Sequence, residues 1–183
     1  MLIGITGTNG AGKGAVVEYL VASKGFSRYS GRSVILDALR VKGLEAKRGL
    51  MRDAANELRK EHGPGYIMEQ LFTMAKDDTS AVLESVRTIG EAEFLKQKGC
   101  VIIAVDAKKE TRYDRVRSMS HDKNPISFED FTLMEDREMS SSEPWDMNVF
   151  GVMQLADARI TNDGTLEELH AQIDQVLATF LQA

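Results

Sequence analysis

The sequence predicts an α/β fold, a parallel sheet with helices packed on both of its faces. Two observations carry that expectation. Short apolar runs alternate with segments of helical spacing from one end of the chain to the other, and strands covered on both faces read as continuous apolar runs. The chain also has 183 residues, 43% hydrophobic and 28% charged, which suits a single domain over residues 1–183 and excludes wholesale disorder.

The elements follow in order. Leu2-Ile3-Gly4-Ile5 forms a first strand closed by Gly7, and Lys13 to Lys24 has helical spacing through Val16, Val17, Leu20 and Val21 until Gly25 ends it. A long helical stretch runs from Ser33 to Met74, interrupted at Gly43 and at Gly63-Pro64-Gly65. Ala81-Val82-Leu83 and Val101 to Val105 read as buried strands, followed by helical patterns over Thr88 to Lys98 and Lys109 to Met119. Ser118 to Pro144 is polar and reads as a mobile insertion. A last strand near Ala158-Arg159-Ile160 leads to Thr165-Leu166-Glu167-Glu168, the pattern of a capping box at the start of a helix.

Composition narrows the functions. No apolar run approaches the roughly 18 residues of a membrane span, and the N-terminal strand has no basic flank or cleavage site like those of a signal peptide. The single cysteine, Cys100, cannot form an internal disulfide, so a reducing cytoplasm is expected. The net charge of −5, with basic residues scattered, argues against sequence-blind binding of nucleic acid. His62, His121, His170 and Cys100 share no metal-ligand spacing, so no zinc site is expected. The oligomeric state is not legible.

One segment carries chemistry outright. Gly7-Thr8-Asn9-Gly10-Ala11-Gly12-Lys13 joins the first strand to the first helix with the spacing G-x-x-x-x-G-K. Its glycines let the chain wrap so that successive N–H groups point at phosphate oxygens, and Lys13 adds a mobile charge for the outer phosphates of ATP. The next residues are Gly14 and Ala15, where such loops usually offer a hydroxyl to Mg²⁺. The metal would then be held by nucleotide oxygens, water and a carboxylate elsewhere.

Gly-Lys-Gly at this point resembles adenylate kinases. So does Leu83-Glu84-Ser85-Val86-Arg87-Thr88-Ile89-Gly90-Glu91-Ala92-Glu93, which looks like their run L-D-G-F-P-R-T-x-x-Q-A-E with one residue fewer. The stretch Ala156 to Leu169, with Asn162 and Gly164, is closer to dephospho-coenzyme A kinases. Across nearly its whole length the chain resembles little-characterised archaeal and bacterial kinase-like proteins related to both, with Leu58-Arg59 and Gly63-Pro64 part of the shared pattern. The resemblance implies a P-loop NTPase fold, a three-layer αβα sandwich on a five-stranded parallel sheet, with an acceptor-binding arm over about 31–76 and a lid over about 118–144. It implies ATP and Mg²⁺ as cofactors and a small-molecule nucleotide as acceptor.

Roles follow from the same comparison. Gly7 to Ala15, Arg115, Asn162 and Gly164 would bind ATP, Arg115 by packing on the adenine. Arg87 would clamp the acceptor phosphate, the alternative being a surface ion pair with Glu84 or Glu93. Glu84 stands where the family places the carboxylate that orients Mg²⁺-bound water, or else pairs with Arg87. Arg137, in the lid segment, would approach the transferring phosphate. The arginine that adenylate kinases place after their second strand is Leu36 here, leaving Arg32 or Arg40 as substitutes. Glu91 falls where the family's glutamine reads adenine; an ionised carboxylate only accepts, which suits a base presenting donors. Dephospho-coenzyme A kinase and a nucleotide-dependent regulatory ATPase are the rival activities.

Overall fold

The computed structural model describes residues 1–119 and 125–181, which excludes His121 and part of the 118–144 segment. The order is β1 (Leu2–Gly7), α1 (Lys13–Lys24), β2 (Ser27–Ser30), α2 (Gly31–Val41), α3 (Arg48–His62), α4 (Tyr66–Ala75), β3 (Ala81–Glu84), α5 (Ile89–Gln97), β4 (Val101–Asp106), α6 (Lys109–Met119), α7 (Phe128–Met139), α8 (Val149–Leu155), β5 (Ala158–Thr161) and α9 (Leu166–Leu181). The five strands form one sheet in the order β2-β3-β1-β4-β5, every pair parallel.

Alternation along the strands builds two cores. Val82 of β3 and Ile103 and Val105 of β4 join Ile3 and Ile5 beneath α1 and α9; Leu169, Ile173 and Leu177 supply the apolar stripe of α9. Ala81, Leu83 and Ile102 point the other way, under Ile67, Met68 and Leu71 of α4, Leu95 of α5 and Val152 of α8. These are the three layers that the sequence implies. Each fully buried Leu, Ile or Val contributes about 1.5–3 kcal/mol.

Local chemistry sets the boundaries. The long helical stretch breaks into α2, α3 and α4 at the glycines already noted. Thr165 and Glu168 close the expected capping box, Glu168 N–H donating to Thr165 Oγ1 at 3.3 Å and Thr165 N–H to Glu168 Oε2 at 2.9 Å. The described part of the polar insertion is largely a helix. Ser127 caps α7 by accepting from Asp130 N–H at 3.0 Å, and Phe131 and Glu135 are buried beneath it.

Register places the site. Ser30 pairs with Glu84, Ile5 with Glu84 and Gly7 with Val105, so the carboxyl ends of β2, β3, β1 and β4 lie side by side. Ligands of open α/β sheets bind at such an edge, where the strand order reverses. Among the described residues, no helix is long and apolar enough to cross a membrane.

Candidate functional site

The loop between β1 and α1 needs its glycines. Gly7 has φ +131° and a Cβ there would lie 1.9 Å from the Val105 carbonyl oxygen; Gly12 has φ +93° and a Cβ would lie 2.2 Å from Asn162 Nδ2. No side chain caps α1, so its first amides remain for an anion. Lys13 Nζ donates to the carbonyls of Gly7 (2.9 Å) and Thr8 (2.6 Å). Burial lowers its pKa to about 7, Arg87 and Arg112 lowering it further while Glu138 and Asp106 oppose.

Other residues hold the loop in shape. Thr8 Oγ1 donates to Asp106 Oδ1 at 2.6 Å. Asn162 is nearly buried and donates from Nδ2 to the Ala11 carbonyl at 2.9 Å, so it braces the loop rather than offering that amide to a nucleotide. Arg112 donates to the carbonyls of Ala107 (2.8 Å) and Asn9 (3.2 Å) and forms a two-pronged pair with Glu135 of α7. Helix spacing puts it on the face of Arg115 and equally allows a solvated basic face; it is buried and ties the loop, α6 and α7 together. Arg115 stands beside the loop, with Nη1 4.0 Å from the Cβ position of Gly12. That Nη1 is buried and has no hydrogen-bond partner among the described residues.

Next to the loop, beginning at Asn9, opens a cavity of about 790 Å³. Six arginines line it: Arg28, Arg32, Arg52, Arg59, Arg87 and Arg137. Glu84 and Glu138 are the carboxylates in its wall. Arg87 Nη1 lies 3.6 Å from Glu138 Oε2. Glu84 pairs with Arg28 of β2, Nε to Oε1 at 2.6 Å, and not with Arg87. Arg52 donates to Asp146 Oδ2 at 2.7 Å, and Asn56 to Asp146 Oδ1 at 3.0 Å, joining α3 to the segment after α7. Burial pushes the Asp146 carboxyl up, but the bonds from Arg52, Asn56 and the Met147 amide outweigh it and hold the pKa below the usual carboxylate range. Ser85, also in the wall, has φ +74°, a left-handed backbone where the family resemblance has glycine.

Two sequence expectations need correction, and a third residue, Gly164, has a structural role. Glu91 does not face a base: it is wholly buried, takes Arg59 Nε (2.9 Å) on Oε1 and the Arg87 and Thr88 amides (2.7 and 3.2 Å) on Oε2, and caps α5 with Thr88. Arg40 is outside the cavity lining and pairs with Asp37 in solvent at 3.0 Å, because α2 turns Leu39 inward and leaves these two side chains, three residues apart, on its exposed side. Gly164 makes room for the cap of α9, since a Cβ there would lie 1.7 Å from Glu168 Oε2. Arg32, Arg87 and Arg137 do meet in the cavity. Sequence reasoning missed Arg28, Arg52 and Glu138, and it named Arg59 only as part of a shared pattern, with no role. The spacing of Arg52, Asn56 and Arg59 (i, i+4, i+7) was a usable signal for one helix face, and Thr88-Ile89-Gly90-Glu91 repeats the capping-box pattern of Thr165 to Glu168.

A family model described as an AAA domain matches residues 3–146, well over half of the chain. The chain belongs to this AAA domain family. Relatives similar from end to end include the UPF0200 protein of Pyrobaculum aerophilum, 30% identical over 183 residues and 96% of each chain. That of Hyperthermus butylicus is 29% identical over 181 residues, 97% of this chain and 94% of the relative. Among solved structures, TT1252 from Thermus thermophilus superposes with a TM-score of 0.62 at 22% identity, covering 98% of this chain and 97% of its own. A shikimate kinase from Acinetobacter baumannii, in complex with shikimate, gives 0.60 at 18% identity, covering 98% and 93%. These structural likenesses establish the fold of this AAA domain member as P-loop kinase-like.

Proposed function

We propose that the protein is an ATP-dependent phosphotransferase that moves the γ-phosphate of ATP to a phosphate-bearing nucleotide, foremost a nucleoside or deoxynucleoside monophosphate. The observation that carries this reading is the arginine-lined cavity opening beside the phosphate loop, with Arg87 in its wall and near enough to Lys13 to add to the effect of burial in lowering its pKa. A transferring phosphoryl group spreads negative charge over its oxygens, so catalysis needs in-line placement and fixed positive charge rather than a covalent nucleophile. Lys13 and the loop amides would hold the donor phosphates. Arg115, whose buried Nη1 has no hydrogen-bond partner among the described residues, would reach the nucleotide. Arg87 would hold the acceptor phosphate and Arg137 would neutralise the group in transit.

Bound Mg²⁺ would supply charge neutralisation across the donor phosphates. Among the described residues no group of three or more His, Cys, Asp or Glu could hold a metal ion. Such an ion would be brought by the nucleotide and steadied, through water, by Glu84, a carboxylate of the cavity wall. The segment α2 to α4 would act as the acceptor arm and α7 as the lid, excluding water from transfer. Dephospho-coenzyme A remains an alternative acceptor, because its pyrophosphate would also suit the arginines.

A regulatory ATPase is the second reading, favoured by Gly14 in place of a loop hydroxyl. Arg87→Ala separates the two. The phosphotransferase should lose acceptor-dependent turnover while its ATP affinity barely changes. Unchanged hydrolysis with no acceptor dependence in either protein would favour the regulatory module.

A further inference from the structure

We propose that Arg59 of α3 is the second guanidinium of the acceptor-phosphate clamp, doing the work that the family resemblance would give to an arginine at position 36. The inference rests on the phosphotransferase reading and deepens it, since it names the group that anchors the acceptor. Position 36 holds leucine, and Arg40 pairs with Asp37 in solvent. Arg59 differs from both. Its side chain is only 2% exposed, yet it lines the cavity. Nε donates to Glu91 Oε1 at 2.9 Å, and Nη2 lies 2.8 Å from the same oxygen in an ion pair. Nη1 is buried and has no hydrogen-bond partner among the described residues.

A buried charged N–H without an acceptor is costly, and native structures rarely keep one without a function. The guanidinium is a rigid planar fork. With one edge fixed on Glu91, the remaining donor has a set direction, and an oxyanion of the ligand is the partner it lacks. The other oxygen of Glu91 accepts the Arg87 and Thr88 amides at 2.7 and 3.2 Å. One buried carboxylate thus positions both the Arg59 guanidinium and the backbone of Arg87. A guanidinium and a neighbouring arginine backbone that share one anchor suit a phosphate monoester, which offers three oxygens to donors arriving from different sides.

The test is a titration of inorganic phosphate into protein saturated with Mg²⁺ and a non-hydrolysable ATP analogue, so that the donor site is already filled. Arginine side-chain N–H resonances report binding without any substitution, and those of Arg59 should shift as phosphate saturates. Arg59→Lys keeps a charge against Glu91 but removes Nη1. It should weaken phosphate binding at least tenfold and raise the acceptor KM by a similar factor, with analogue affinity and Tm close to wild type. Lys60→Ala, one residue along on the exposed face, should match wild type. Phosphate binding that leaves the Arg59 resonances in place, or that survives Arg59→Lys unweakened, would overturn the clamp. Turnover absent with every acceptor, alongside Arg59-dependent phosphate binding, would sink the phosphotransferase reading and leave the clamp supported.

Discussion

Nucleotide binding at mildly alkaline pH will draw a proton onto Lys13. In the free protein, burial holds the Lys13 pKa down at about 7, with Arg87 and Arg112 adding to the effect and Glu138 and Asp106 partly offsetting it. Nucleotide phosphates favour the charged ammonium and would return it toward the ordinary lysine range near ~10.4. With a free-state value of about 7, roughly 0.9 of the molecules carry a neutral Lys13 at pH 8, and binding should take up about that fraction of a proton. At pH 6 the contribution from this lysine should fall to about 0.1. Calorimetric titration of ADP in pairs of buffers with different ionisation enthalpies reads the number directly. Lys13→Arg, charged throughout this range, should show no such uptake at pH 8. The same lowered value has a consequence for folding: the unfolded lysine binds its proton up to about 10.4, so the free protein should gain stability as pH rises from about 7 toward that point. Wild-type binding at pH 8 without proton uptake would refute the placement of Lys13 in a low-dielectric, cation-rich pocket.

Ser85→Gly should raise the Tm by a few degrees, because relieving a left-handed backbone at φ +74° gains about 1 kcal/mol net of glycine's entropy. Glu91→Ala should cost about 3–5 kcal/mol by stranding the buried Arg59 charge and opening the α5 cap; a denaturant midpoint unmoved from wild type would contradict the pairing. Asp146, whose pKa is depressed, stabilises the fold above the unfolded carboxylate value near ~3.9 and loses that contribution as pH falls through its folded value. Urea midpoints measured from pH 5 down to pH 2 should therefore converge for wild type and Asp146→Asn, and parallel curves would rule the Arg52 tie out as their cause.

The layers and the loop were legible because both depend on local pattern. Continuous apolar runs such as Val101 to Val105 mark strands buried on two faces, and the loop glycines and Lys13 are contiguous in sequence. Strand β2 was not legible by that route, since Ser-Arg-Tyr-Ser has no apolar run and sits at the sheet edge. The acceptor cavity was harder still. Its arginines come from β2, α2, α3, the end of β3 and α7, and only tertiary packing unites them. Arg112 and Arg59 show the limit most plainly. Helix spacing allowed either to be a solvated cation, and it is their buried carboxylates, Glu135 and Glu91, that decide otherwise. Glu91 was misassigned because alignment with a glutamine in a resembling family outweighed the capping-box spacing present in the chain itself.

The measurement that bears most directly on the central claim is ADP release from ATP and Mg²⁺ across a panel of nucleoside monophosphates, their deoxy forms and dephospho-coenzyme A. A phosphotransferase predicts release well above the ATP-only rate with at least one phosphate-bearing acceptor, abolished in Arg87→Ala. Slow release that no acceptor accelerates would contradict it.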